Sequence, residues 1–247
     1  MGVLQSNITG TPLIGLPPMP DSRIVGGTNV DIREHPYQLS LQTSGHICGA
    51  AIISSKWAVT AAHCVGRYSV RAGSNSIDQG TRYGIKRIVQ HSDYNSETVD
   101  YDIALLEVCE LKNIAPASLN PPTVQPVKLA NAAPSVNTVV DITGWGATQE
   151  GGATTTHLMK VSVPIVSMQQ CQKAYENINV ITGRMICAGY TECGKDSCQG
   201  DFGGPLTKDG TLYGIVSWGY GSAQPKHPGV YTNVASLRSW IKQNSGI

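Results

Sequence analysis

The sequence is short of phenylalanine, short of charge and without any long apolar run. A single phenylalanine stands among 247 residues, and charged residues make up 14% of them. A formal net charge of +1 gives no field that would steer the chain toward nucleic acid or an anionic membrane. No apolar stretch reaches the roughly 20 residues that cross a bilayer as a helix. The charged start and continuous apolar segment of a secretory leader are also missing at the N-terminus. The expectation is that a leader has been removed, or that the sequence begins after it. Internal repeats and low-complexity tracts are absent as well.

What is present is a succession of short alternating stretches. "YQLSLQT" from Tyr37, "IKRIVQ", "DIALLEV", "VVDITGW", "MKVSVPIV", "LYGIVSWG" and "GVYTNV" are separated by Gly, Asn and Pro turns. Many short strands of this kind read as a sandwich or a barrel. A proline-rich stretch divides them into two groups, which gives a first unit at about 24–115, a linker at about 116–134 and a second unit at about 135–247. A ligand cleft is expected between the two units. At the C-terminus the period changes: Val234, Leu237 and Ile241 fall on one helical face, so "VASLRSWIKQN" reads as a terminal helix. Residues 1–23, rich in Pro, Gly, Ser and Thr, read as an extended pro-segment.

Seven cysteines, at 48, 64, 109, 171, 187, 193 and 198, fit an oxidising compartment better than the cytosol. The odd count leaves at least one thiol outside any intrachain bridge.

Three motifs carry chemistry. "TAAHC" places His63 beside Cys64, "DYDIALLEV" places Asp102 at the head of an apolar strand, and "DSCQGDFGGPL" is a glycine-rich turn entering a strand. Each alone reads as ordinary structure: a core histidine, a strand-edge acid, a loop. In order, and together with "IVGG" at Ile24, "GWG" at Gly144, "CAGY" at Cys187, "SWGYG" at Ser217 and "PGVYTNV", they resemble the trypsin-like (chymotrypsin-fold) serine proteases. The resemblance spans nearly all of Ile24 to Ile247. It implies an all-β fold of two six-stranded antiparallel Greek-key β-barrels with a C-terminal α-helix.

In that family a serine attacks the scissile carbonyl, a histidine takes its proton and a buried aspartate orients the imidazole. His63 and Asp102 match the last two positions, and Phe202 stands where the serine would be. The resemblance further implies oxyanion donors at Gly200 and Phe202, and a specificity pocket with Asp196 at its base and Gly219 and Gly229 along its shaft. Ser217, Trp218 and Gly219 match the strand that pairs with substrate. Arg23 and Ile24 match an activation cleavage whose new amine pairs with Asp201. Cys48–Cys64 and Cys171–Cys187 match family bridges. Cys198 matches half of a third bridge, but its partner position is Ser222, and Cys193 lies five residues upstream. A Cys193–Cys198 bridge and two free thiols both stay open. Cys109 has no family partner and is expected as a buried free thiol. The loop where calcium-binding relatives carry glutamates has only Asp78, so no metal and no cofactor are expected.

Loss of a triad nucleophile costs on the order of 10⁶ in turnover. Phe202 therefore leads to the expectation of a chain that is not an enzyme. That chain would be a secreted, monomeric pseudoprotease acting by binding proteins, either inhibitors or host defence and complement components. The sequence also resembles arthropod digestive trypsins and, more narrowly, the scabies mite inactivated protease paralogues. The latter resemblance points the same way and implies secretion into the gut lumen and interference with host complement proteins. Two alternatives stay open. One is an active endopeptidase cleaving after Lys or Arg whose nucleophile was substituted artificially or allelically; the other is a non-catalytic structural protein. The phenyl ring is expected over His63, because folding into the specificity shaft would strand Asp196 away from water.

Overall fold

The structure is a computed structural model that describes residues 27–109, 122–146, 154–190, 202–220 and 227–247. The chain enters through β1 (Thr28–Asn29) and then builds a closed barrel. Its strands are β2 (Gln38–Gln42), β3 (His46–Ile52), β4 (Trp57–Thr60), β5 (Ser69–Ala72), β6 (Thr81–Gln90) and β7 (Ala104–Val108). They are ordered β2-β3-β4-β7-β6-β5, and antiparallel pairing of β2 with β5 closes the ring. In β2 the period-two pattern holds, yet all five residues are buried. Leu39 and Leu41 join the barrel core, while Gln38 reaches the second barrel and accepts from the Thr143 hydroxyl at 2.7 Å. Burying each such leucine contributes about 1.5–3 kcal/mol.

After β8 (Lys128–Leu129), the second barrel is made of β9 (Val139–Gly144), β10 (Met159–Val166), β11 (Met185–Ala188), β12 (Pro205–Lys208), β13 (Thr211–Trp218) and β14 (Gly229–Asn233). The ring runs β9-β10-β11-β14-β13-β12 and returns to β9, all antiparallel. The short helix α1 (Met168–Ala174) precedes β11, and its Cys171 is bridged to Cys187 of that strand. The fold is thus the two six-stranded barrels implied by the motifs.

Two segments sit differently from their order along the chain. β1 pairs with β10, so the start of the first unit belongs to the sheet of the second barrel. A two-residue strand carries no periodicity that could name its partner. The C-terminal segment, a 3-10 turn at Ala235–Leu237 followed by α2 (Arg238–Ser245), packs Val234, Leu237 and Ile241 into the core of the first barrel. The described part of the proline-rich stretch is stitched to both barrels. Val127 donates its backbone N–H to Ile52, and Lys128 to Gly210.

A polar clamp also joins the barrels. Asp100, just before β7, accepts from Arg184 Nε at 2.9 Å, from Thr182 Oγ1 at 3.0 Å and from the Tyr101 backbone at 2.9 Å. The Arg184 guanidinium also lies 4.4 Å over the Tyr101 ring, a cation–π arrangement. Burial pushes the Asp100 carboxyl upward, but these donors outweigh it and hold its pKa below the ordinary value. A depressed folded pKa adds stability that is present above the unfolded value and lost as pH falls through the folded one. Asp100→Asn should therefore lower stability by about 1–2 kcal/mol at neutral pH and by less at pH ~3, below the unfolded pKa, where part of the contribution is already lost. Urea unfolding midpoints at the two pH values measure this; equal losses at both would contradict it.

Candidate active site

The edge between the barrels gathers His63, Asp102, Phe202 and Ser217. His63 lies in the 3-10 turn Ala62–Cys64 that ends β4, and the Cys48–Cys64 disulfide ties that turn to β3. Asp102 precedes β7 with its side chain fully buried. Its Oδ1 accepts from the His63 backbone N–H at 3.0 Å, and its Oδ2 meets His63 Nδ1 at 2.8 Å. From the second barrel, Ser217 Oγ donates to Oδ2 at 2.5 Å and Thr232 Oγ1 donates to the Asp102 carbonyl at 2.6 Å. A carboxylate that accepts at Nδ1 places the imidazole proton there and leaves the Nε2 lone pair outward. Nε2 is buried and has no hydrogen-bond partner among the described residues.

Phe202 occupies the space beside the imidazole. The two ring centroids are 5.0 Å apart with planes at 83°, an edge-to-face contact. The phenyl also packs against the cores of both barrels. Its backbone is held from each side. Gly49 donates to the Phe202 carbonyl at 2.8 Å, and Gly203 donates to Val216 at 2.8 Å. Gly203 has φ +76°, and a Cβ there would lie 2.1 Å from Thr60 Oγ1; a Cβ on Gly49 would lie 2.7 Å from Gly204 Cα. Only glycine allows this approach. The turn therefore presents residue 202 to His63 from a backbone with little freedom.

Ser217 and Trp218 end β13, with a register shift between Val216 and Trp218. Pairing of Trp218 with Val230 brings Gly219, the next residue along, and Gly229, the residue before Val230, to the end of one strand pair. A Cβ on Gly229 would fall 2.8 Å from the Tyr231 hydroxyl. Arg23, Ile24, Cys193, Asp196, Cys198, Gly200 and Asp201 lie outside the described residues.

Cys109 departs from expectation. It is a free thiol, but exposed rather than buried, because it lies one residue beyond the end of β7 at Val108. Among the described residues, the cluster with metal-ligand spacing is Cys48, His63 and Cys64, whose ligand atoms lie within 4.8 Å. The two cysteines are joined to each other, so no thiolate pair is offered there. The motifs did not single out Ser217 and Thr232 as supports of Asp102. "SWGYG" drew attention to backbone pairing, whereas the side-chain contact needs the second barrel docked.

The model of the Trypsin family matches residues 24–241. The chain belongs to the trypsin family. It is 44% identical over 234 residues to Trypsin 5G1 of Aedes aegypti, covering 91% of this chain and 86% of that protein. It is 42% identical to a trypsin of Phaedon cochleariae over 92% of this chain and 90% of that protein. Against a trypsin of Sus scrofa it is 42% identical over 90% and 96%. These relatives carry the name of an enzyme, and nothing in them points to inactivation. They overturn the expectation of a chain that is not an enzyme, which rested on the single residue Phe202. The narrower likeness to the mite paralogues is not carried by them either.

Ser217→Ala should leave one Asp102 lone pair without its donor and lower unfolding free energy by about 1–3 kcal/mol. Denaturant titration at neutral pH measures the loss, and an unchanged midpoint would show that the 2.5 Å contact adds nothing.

Proposed function

We propose that the chain is a secreted trypsin-type endopeptidase that cleaves after Lys or Arg, carried here in a form with Phe202 at the nucleophile position. The observation that supports this best is His63 Nε2. The imidazole is fixed at Nδ1 by a buried carboxylate, and its other nitrogen is buried beside residue 202 without a partner among the described residues. An unpaired buried nitrogen of this kind costs about 1–3 kcal/mol. A hydroxyl at 202 would satisfy it and would at the same time be the group whose proton it takes.

The chemistry then divides among the residues in the family manner. The oxygen at 202 attacks the scissile carbonyl, His63 accepts its proton and returns it to the leaving amine, and Asp102 holds the ring. Ser217 and Thr232 hold Asp102. Backbone N–H groups at Gly200 and residue 202 receive the oxyanion, and backbone donors do not depend on the side chain at 202. Asp196 receives the Lys or Arg head, with Gly219 and Gly229 leaving its shaft open, and Ser217 to Gly219 pair with the extended peptide. Cleavage at Arg23-Ile24 frees the amine that pairs with Asp201. Two disulfides fit the extracellular space, and within it we assign the gut lumen.

Phe202→Ser, cleaved at Arg23-Ile24, should hydrolyse an Arg-peptide amide with kcat higher by on the order of 10⁴-fold or more than the unchanged chain. It should prefer Lys or Arg to Leu at the cleaved position. No gain, or no preference, would defeat the proposal.

A further inference from the structure

The first barrel carries a groove of about 620 Å³ on its outer surface. It begins at Arg67, three residues past Cys64, and runs along β6. Arg67, Arg82 and Lys86 line it, together with Tyr68, Ile85 and Ile88. The cations are exposed, while the three apolar residues are partly buried against the barrel core. The groove thus has an apolar floor and a cationic rim.

The charge is one-sided. Between Arg67 and Arg87 the sequence has five basic residues and a single acid, Asp78. Arg87 is already engaged, by Glu107 at 3.1 Å and by stacking over Trp57. Among the described residues, no acidic side chain pairs with Arg67, Arg82 or Lys86. The register of the barrel sharpens the imbalance, because Arg71 of β5 lies directly opposite Arg82 of β6. Like charges in directly opposed positions destabilise a strand pair. Both side chains are nonetheless held in place by neutral acceptors. Arg71 donates to Gln42 Oε1 at 2.8 Å, and Arg82 Nε donates to Ser69 Oγ at 2.6 Å. Oriented guanidinium groups without a carboxylate are suited to receive one from outside.

We propose that this groove docks an acidic peptide segment of a partner protein, carboxylates on the rim and an aromatic or aliphatic side chain on the Tyr68–Ile85–Ile88 floor. A purely polyanionic ligand would use the rim but gain nothing from the floor, so a peptide with mixed acidic and apolar residues fits better. The site is distinct from the His63–Asp102–Phe202 cleft and needs no chemistry at residue 202.

The test uses the full chain and a labelled synthetic peptide that alternates Glu or Asp with Tyr or Leu, read by fluorescence anisotropy. Two control peptides accompany it: one with Gln and Asn for the acids, one with Gly for the apolar residues. Heparin serves as the polyanion. Binding should weaken with added salt, and it should fall at least about tenfold in Arg67→Gln/Lys86→Gln, whose side chains are exposed and whose folding is checked by thermal melting. Lys208→Gln, on the second barrel, should bind as the parent does. The Gln/Asn peptide should bind at least about tenfold more weakly than the acidic peptide, and the Gly peptide should bind more weakly as well. Binding equal in the neutral peptide or in the double variant would overturn the proposal. So would retention of heparin with no affinity for the acidic peptide, which would make the groove a polyanion site instead.

Discussion

The buried carboxylate of Asp102 is the interaction on which the cleft depends. It has no water to solvate it, so its charge is sustained only by the donors that reach it. Two of those donors belong to His63 of the first barrel and one to Ser217 of the second, with Thr232 holding the adjoining carbonyl. Separating the barrels would leave that charge underpaired. The site's electrostatics and the docking of the two halves are therefore one constraint, and the orientation of the imidazole follows from it.

Phe202 fits this arrangement through its surroundings. The turn that carries it is held from both barrels through Gly49, Gly203 and Gly204, and a Cβ on Gly49 or Gly203 would collide. A larger side chain at 202 can thus be accepted without moving the backbone, provided it finds apolar cover. It finds that cover against His63 and the two cores. The presenting backbone is held by Gly49 and Gly203 and does not depend on the atom that residue 202 supplies. For that reason one residue was a poor guide to the nature of the whole chain, and the trypsin relatives outweigh it.

Much of the fold was legible from short-range signals. The period-two stretches marked the strands, and the family resemblance of the ordered motifs, not "TAAHC" or "DYDIALLEV" alone, located the two residues that meet at 2.8 Å. The ring of Phe202 lies beside His63, where the penalty for stranding Asp196 in the shaft would send it. The illegible parts were those set by register or by distant partners. Asp100 and Arg184 are far apart in sequence, and only closure of the cleft brings them together. Arg71 faces Arg82 because of the β5–β6 register, which no local pattern states. Cys109 was expected inside because it was read as part of the strand after Asp102, yet it stands one step beyond that strand's end and is exposed.

The crossed placement of the two termini has a further consequence. The entering strand β1 lies on the second barrel, and the closing helix α2 lies on the first. Each half is thus fastened by a piece of chain from the other's end. A fragment cut at the connection between the barrels would lose a strand from one half and core-filling side chains from the other. The two rings are expected on that ground to unfold as one cooperative unit and not half by half.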